Sequence, residues 1–233
     1  MRRKACVLSV FTLLFLLLGE VIAEEDYLAT ADQYFNDGKF NLAEIFYKKY
    51  IEKKPDSFEA NYSLGKINYF NNNYAEAAKY LEMANDLKPG KELQFLIANT
   101  HVGNKETGKA MSLYTNLIRD YPDYGDVYLN AGLVSYKYLY NKEYTIDFWE
   151  KFLKVSPDDI QAPKIRKALE YLRDPGFTLA PPLSRTNQSA AGLNTSSSNA
   201  ANQSIQLDIK GKDIKSDAEE KYDLKKPKSI TTE

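Results

Sequence analysis

The chain has 233 residues, of which 43% are hydrophobic and 27% charged, and its formal net charge is −1 at neutral pH. This composition is ordinary for a soluble protein of one or two domains, and it lacks the basic excess that binding to nucleic acid requires. The sequence contains 18 tyrosines beside 11 phenylalanines and 1 tryptophan. Tyrosine joins an apolar ring to a polar hydroxyl, so this excess favours half-buried helix faces and interaction surfaces.

Residues 1–23 have the layout of a secretory signal peptide. The basic residues Arg2–Lys4 precede the apolar run 5–19. Residues 21–23 follow, and Ala23 provides the small residue that a cleavage site requires. The run is shorter than the ~20 apolar residues of a membrane span, and an uncleaved anchor is the alternative. Cys6 is the only cysteine, so cleavage would leave a chain without thiols. We expect export to a bacterial periplasm or envelope, with secretion as the second destination.

Four prolines recur at nearly constant spacing through the middle of the chain: Pro55, Pro89, Pro122 and Pro157, separated by 34, 33 and 35 residues. A small residue lies 24 or 25 positions before each proline, another small residue 12 positions before it, and a large residue eight positions before it. In chain order these repeat-packing residues are Ala31, Ala43 and Tyr47, then Gly65, Ala77 and Leu81, then Ala98, Ala110 and Tyr114, and finally Gly132, Thr145 and Trp149.

The spacing of small and large residues indicates pairs of closely packed helices. Glycine inside a helix costs about 1 kcal/mol relative to alanine. We therefore predict that Gly65 and Gly132 lie where two helix backbones approach each other closely, because only close packing explains glycine at these positions. Residues 71–73 are three asparagines, which predict a turn because asparagine accepts left-handed backbone angles. Each of the four prolines is predicted to end the second helix of its unit.

This pattern resembles the tetratricopeptide repeat, a helix–turn–helix unit with the signature W-x2-L-G-x2-Y…A-x3-F…P. The second unit matches it most fully, with Leu64, Gly65, Tyr74, Ala77, Leu81, Ala84 and Pro89. The third unit is one residue short and the fourth is one residue long. The resemblance implies an all-α fold, a right-handed superhelical solenoid of about four units. The units are placed at about 24–57, 58–90, 91–124 and 125–159.

A further amphipathic helix is predicted at 162–173. Ile165, Leu169 and Leu172 share one face and charged residues the other, as the terminal helix of a solenoid requires. We therefore assign 24–174 to the solenoid. Residues 175–233 are rich in Ser, Asn, Thr and mixed charge, and we predict a disordered, low-complexity tail that acts as a spacer. Within it 205–214 alternates apolar and polar residues, and pairing as a strand is the alternative.

The sequence offers no complete catalytic constellation. His101 is the only histidine, and without a mature cysteine both Ser–His and Cys–His nucleophile systems lack parts. No Gly-rich phosphate loop, HExxH motif or calcium loop is present. We predict that the protein is not an enzyme and has no catalytic, cofactor or metal site. A cell-wall or glycan-processing enzyme, or a glycan-binding module, supported by the repeats is the alternative, because any two surface carboxylates can meet in space.

The resemblance also implies where a partner binds. In this family the first helix of each unit lines a concave groove that holds extended peptides or helices of other proteins. By register, the partner groove here is lined by Leu28, Asp32, Phe35, Tyr62, Lys66, Tyr69, Phe70, Phe95, Asn99, Leu129, Leu133 and Tyr136. Such a groove is mainly apolar and rich in tyrosine, which favours protein contacts. For each residue the alternative is packing inside the solenoid.

Together these features predict a non-enzymatic scaffold or adaptor of the bacterial cell envelope that binds a protein or peptide ligand. Versions of the family that clamp a C-terminal carboxylate present lysine and asparagine from the first inner helix. Here those positions hold Leu28 and Asp32, so an adaptor for chaperone tails is not predicted. No nucleic-acid partner and no membrane span after signal cleavage are expected. Self-association, with the groove holding the tail or a second copy, is the remaining alternative.

Overall fold

The computed structural model describes residues 27–179. The predicted signal peptide at 1–23 lies outside this range, as do residues 180–233 of the predicted tail, so both stay predictions. Among the described helices, none is both long and apolar enough to cross a bilayer.

The described part of the chain is built from helices joined by short turns, and it contains no strand. The helices are α1 (27–36), α2 (Phe40–Lys53), α3 (Phe58–Phe70), α4 (Tyr74–Leu87), α5 (Lys91–Gly103), α6 (Thr107–Asp120), α7 (Gly125–Val134), α8 (Lys142–Val155) and α9 (Ala162–Arg173). Helices α1 to α8 form four helix–turn–helix pairs, each with an inner first helix and an outer second helix, and α9 follows them. This confirms the predicted all-α class of about four units and a final helix.

The described residues divide into two compact units, 27–93 and 94–179. The first has one hydrophobic core, which includes Tyr47 and Leu64. The second has two core clusters, one around Tyr114 and one around Trp149. The predicted small and large repeat-packing residues are all buried, whereas the four repeat prolines are exposed in the turns that follow the outer helices.

Two helix pairs close because glycine faces a large side chain. A Cβ built on Gly65 of α3 would stand 2.5 Å from both Cγ and Cδ2 of Leu81 in α4, and 3.2 Å from the Leu81 backbone nitrogen. Gly132 of α7 lies in the same way against the indole ring of Trp149 in α8. Protein interiors have no room for such overlap, so these pairs need glycine at the contact.

In the other two pairs alanine replaces the glycine and the large residue is tyrosine. The Tyr47 hydroxyl of α2 donates to Asp32 Oδ1 at 2.6 Å, and the Tyr114 hydroxyl of α6 donates to Asn99 Oδ1 at 2.5 Å. In both cases the acceptor is the residue directly after the small one. The tyrosine side chain therefore extends beyond the alanine, and its hydroxyl reaches the hydrogen-bond acceptor that a buried hydroxyl needs.

The second small residue of each unit lies in the outer helix and is fully buried. Ala43, Ala77, Ala110 and Thr145 all have 0% exposure. Thr145 departs from the alanine of the other units, but its hydroxyl donates to the carbonyl of Asn141 at 2.7 Å. Because that bond satisfies the extra polar group, threonine fits a site that otherwise takes alanine.

The turn inside each pair has one residue with left-handed backbone angles. These residues are Gly38, Asn72, Lys105 and Tyr140, with φ of 72°, 61°, 63° and 51°. In the first three turns the amide of the next residue donates to the carbonyl five positions earlier at 2.8 Å, as Lys39 does to Tyr34. This is the bond that ends a helix in a Schellman motif. Glycine and asparagine suit this conformation, so the sequence of the first two turns specifies it directly.

The long fourth unit holds its extra residue in a π-helical turn. The two small residues of a unit are 12 positions apart in the first three units and 13 apart in the fourth. Residues Ser135–Leu139 continue α7 as a π-helix, and the Asn141 amide donates to the Ser135 carbonyl, six positions back, at 3.1 Å. A π-turn contains one residue more than an α-turn, so α7 and α8 keep the packing of the other pairs.

The short third unit lacks a residue in the turn that leads into it. Helix α5 begins at Lys91, two positions after Pro89, whereas α3 begins at Phe58, three positions after Pro55. The omission falls in an exposed connection and leaves the spacing of the buried residues unchanged. Connections tolerate such changes better than packed helices do.

The first helix has a polar face where the later inner helices are apolar. In α3, Leu64 and Ile67 are fully buried in the core that α2 shares. The corresponding residues of α1 are Thr30, which is half-buried, and Gln33, which is exposed. An outer helix could pack on this face only by covering polar groups.

Helix α9 packs on the last helix pair. Its residues Ile165, Leu169 and Leu172 are buried in the core cluster that includes α8. The eighth residue of α9 is Leu169, whereas the eighth residue of α3, α5 and α7 is glycine or alanine. Helix α9 therefore lacks the small residue over which an outer helix approaches in the earlier pairs.

The packed chain continues slightly past the predicted boundary at residue 174. The Lys142 ammonium of α8 donates to the carbonyl of Asp174 at 3.0 Å and to that of Phe177 at 2.8 Å. Phe177 is half-buried and packs against the core cluster of α7, α8 and α9. The first residues assigned to the tail are therefore tied to the last repeat.

Replacing Gly65 with alanine should destabilise the protein although alanine is the better helix former. The clash with Leu81 should cost ~1–3 kcal/mol, which exceeds the about 1 kcal/mol that alanine gains in a helix. We expect the free energy of unfolding, measured in urea by circular dichroism, to fall by up to about 2 kcal/mol.

Gly108 in α6 provides the matched control. A Cβ built on it meets no atom within 4 Å, so Gly108→Ala should leave the free energy of unfolding unchanged or raise it by up to ~1 kcal/mol. Equal effects of the two substitutions would show that the Gly65 contact does not limit how closely α3 and α4 pack.

Candidate functional site

In the first compact unit, residues 27–93, the predicted groove residues lie on the inner helices α1 and α3. Five of them are half-buried or exposed and form what we call the α1/α3 surface: Leu28, Asp32, Tyr62, Tyr69 and Phe70. The Phe70 side chain is 43% exposed. Its ring centroid lies 5.9 Å from that of Tyr69 and 6.5 Å from that of Phe40. The surface therefore offers aromatic area held in place by neighbouring rings.

A lysine is held between the rings of α1 and α3. Lys66 is only 4% exposed, and its ammonium nitrogen lies 5.7 Å from the centroid of Phe35 and 5.5 Å from that of Tyr62. Aromatic faces attract a cation by their negative electrostatic potential. Lys66 thus links α1 to α3, and little of its surface is open to a partner.

Phe35, predicted for the same groove, lies in the core and is 7% exposed. Its ring meets Phe40 edge-on at 5.3 Å and Tyr47 edge-on at 6.3 Å. Its ring packs in the core and contacts the Lys66 ammonium, and little of its surface is open to a partner.

Asp32 is exposed, but its carboxylate already serves the packing of α1 on α2. It accepts the hydrogen bond from the Tyr47 hydroxyl at 2.6 Å. Burial, and to a lesser degree this bond, raises the pKa of Tyr47 well above its ordinary value. Tyr47 therefore remains a protonated donor at any physiological pH, and Asp32 stays fixed beside the α1/α3 surface.

In the second compact unit, residues 94–179, the predicted groove residues are mostly buried. Phe95 and Leu129 have 0% exposure and lie in the core clusters. The ring of Phe95 lies 6.0 Å from that of Tyr114 and 5.4 Å from that of Tyr124, at the start of α7. A partner cannot reach side chains at this depth, so the structure assigns Phe95 and Leu129 to packing.

The remaining predicted residues of this unit differ in depth. Asn99 and Leu133 are each 7% exposed, whereas Tyr136 is half-buried. The Tyr136 ring lies 5.7 Å from Trp149, and burial raises the pKa of its hydroxyl. Tyr136 is therefore the predicted residue of the second unit with the most surface available to a ligand.

A buried polar network links three helices of the second unit. Asn99 Oδ1 of α5 accepts from the Tyr114 hydroxyl of α6 at 2.5 Å and from Asn130 Nδ2 of α7 at 2.8 Å. Asn130 is 6% exposed and was not among the sequence predictions. Since no repeat register places asparagine at that position, the sequence alone gives no signal for it. The network makes Asn99 a structural residue as well as a groove candidate.

The turn between α5 and α6 carries a charged cluster. Glu106 accepts hydrogen bonds from Lys109 Nζ at 2.9 Å and from His101 Nδ1 at 2.8 Å. These bonds, that of Lys109 first, lower the pKa of Glu106 from the ordinary 4.5 to about 2. His101 is 4% exposed, so the only histidine of the chain is engaged in joining two helices. Within residues 27–179 no three His, Cys, Asp or Glu residues form a group that could hold a metal ion.

No protein-family model matches the sequence, and no curated protein matches it. Several solved structures do. One of MamA matches with a TM-score of 0.57 at 22% identity, over 64% of this chain and 81% of that chain. A tetratricopeptide repeat protein from Parabacteroides merdae ATCC 43184 matches with a TM-score of 0.57 at 21% identity, over 64% of this chain and 60% of that chain. MamA from Desulfovibrio magneticus RS-1 matches with a TM-score of 0.55 at 17% identity, over 64% and 82%.

Identities this low show the fold alone. The chain has the fold of tetratricopeptide repeat proteins, which confirms the resemblance drawn from its repeat pattern. The match takes in less than two thirds of the Parabacteroides merdae protein.

The low pKa of Glu106 predicts a pH-dependent contribution to stability. Because the folded-state pKa is depressed, the carboxylate stabilises the fold above the unfolded pKa of about 4.5, and this stabilisation is lost as the pH falls towards 2. The wild type should therefore have a higher thermal midpoint than Glu106→Gln at pH 7, and the gap should close between pH 4.5 and 2.

The control is the same comparison in a Lys109→Gln background. Lys109 makes the largest contribution to the shift, so removing it should reduce the gap at pH 7. A gap that stays constant from pH 7 to pH 2 would contradict the assignment.

Proposed function

We propose that this chain, which has the fold of tetratricopeptide repeat proteins, is a non-enzymatic scaffold of the bacterial cell envelope. It binds a peptide or a helix of a partner protein through its inner helices. The observation that carries the proposal is the α1/α3 surface, where Tyr62, Tyr69 and Phe70 present half-buried or exposed aromatic area. A few residues carry most of the binding energy in typical protein interfaces, and tyrosine is enriched among them.

The charges of this surface favour one class of ligand. Apolar side chains of the ligand would pack on Phe70 and Tyr69. Asp32 is exposed on the same surface, so a ligand with an acidic group near it is disfavoured by like-charge repulsion. An extended segment with apolar residues and no acidic residue near Asp32 fits these conditions.

Truncating the aromatic residues should weaken partner binding without unfolding the protein. We expect Tyr62→Ala and Phe70→Ala each to lower the affinity by about 5- to 30-fold, the loss of ~1–2 kcal/mol that is typical of an aromatic contact at an interface. The partner is first identified by mass spectrometry after capture from an envelope extract, and its affinity for each variant is then measured by calorimetry.

Leu87 is the matched control, because it lies on the outer helix α4 of the same unit and is 42% exposed, close to the 43% of Phe70. Leu87→Ala should retain the wild-type affinity. Equal affinities for the wild type and both aromatic variants would contradict binding through the α1/α3 surface.

The location is a separate part of the proposal, and it depends on residues 1–23. When the full chain is produced in a bacterium, the periplasmic extract should contain a form that begins at Glu24, as measured by intact mass. Leu14→Asp with Leu16→Asp interrupts the apolar run and should keep the chain in the cytoplasm. A membrane-bound form that retains residues 1–23 would identify an anchor instead.

A further inference from the structure

The edge where α7 ends and α8 begins is unusually apolar. Tyr138 is 48% exposed, Leu139 is 43% exposed and Tyr144 is 58% exposed. We call these three residues the edge patch. Leu139 directly precedes the left-handed residue of its turn, and at the same place the other units have Asp37, Asn71 and Asn104. This edge therefore differs from the corresponding edges of the other three helix pairs, where the turn residue is polar.

The chain leaves its last described helix at this edge. Lys142, three positions after Leu139, donates to the carbonyls of Asp174 and Phe177 at the end of α9. Its ammonium also lies 6.0 Å from the centroid of the Phe177 ring. A single side chain thus joins the start of α8 to residues 174–177, the segment that follows α9.

The next residues have the chemistry to cover an aromatic patch. They are Ala180, Pro181, Pro182 and Leu183. Two successive prolines favour the extended polyproline II conformation, which rises ~3.1 Å per residue. Such segments dock on aromatic surfaces at little entropic cost because they are already extended. From Phe177 to Leu183 the reach is therefore about 19 Å, which is enough to span a turn between two helices.

We propose that residues 180–183 bind the edge patch of their own chain as a strap. The strap covers Tyr138 and Leu139 with proline and leucine side chains and fastens the beginning of the tail to the fourth repeat. It is independent of the α1/α3 surface and of any partner bound there.

Limited proteolysis of the full chain tests the strap, because Arg185 lies just beyond it and Lys210 lies far from it. Proteases cut a segment in proportion to the time it spends open. Trypsin cleavage at Arg185 should be about tenfold slower than at Lys210, as followed by mass spectrometry. Tyr138→Ser combined with Leu139→Ser should remove most of this difference and leave the rate at Lys210 unchanged.

Ile160→Ser is the matched control, since Ile160 is an apolar residue of the same unit with 83% exposure and does not belong to the edge patch. It should leave Arg185 protected. Pro181→Gly with Pro182→Gly should expose Arg185 as the edge variant does, because the preformed extended conformation is lost. Circular dichroism checks that each variant keeps its helix content.

Three results would overturn the strap. One is cleavage at Arg185 as fast as at Lys210 in the wild type. Another is unchanged protection in the edge variant. The third is protection that disappears on dilution, which would place the proline segment of a second copy on the patch.

Discussion

Two helices joined by a short turn can pack in contact only where the side chains between them leave room for both backbones. In this protein that requirement falls on one position of each inner helix, filled by Ala31, Gly65, Ala98 or Gly132. The opposing residue of the outer helix then sets the distance between the two. The packing of the next repeat depends on this contact. An inner and an outer helix that did not pack together would leave the next inner helix without a surface on which to bury its apolar face.

The four pairs meet this requirement in two ways, and the choice affects the inner surface. Glycine lets Leu81 or Trp149 lie directly on the backbone, and the Trp149 indole N–H donates to a backbone carbonyl, that of Leu129, at 3.3 Å. Alanine is paired with a tyrosine whose hydroxyl needs an acceptor, and that acceptor is Asp32 or Asn99. Residues that a groove would otherwise use for a ligand are in these two units committed to holding the helix pair together.

The sequence predicts the helix pairs well because their determinants repeat every 33 to 35 residues. It predicts the candidate site less well. A register shows on which face of a helix a residue lies, but the depth of Phe95 depends on Tyr124, which belongs to the following turn. In the same way Lys66 is held by a ring of another helix, and no local pattern encodes this. The π-turn of the fourth unit appears in the sequence only as one extra residue.

The first described helix carries polar groups on a face that is apolar in α3. Thr30 is half-buried and Gln33 is exposed there, where α3 has the buried Leu64 and Ile67. A second copy that docked on this face of α1 would have to dehydrate polar groups, which costs free energy unless they find new hydrogen-bond partners. The chemistry of this face therefore disfavours purely apolar association between copies through α1.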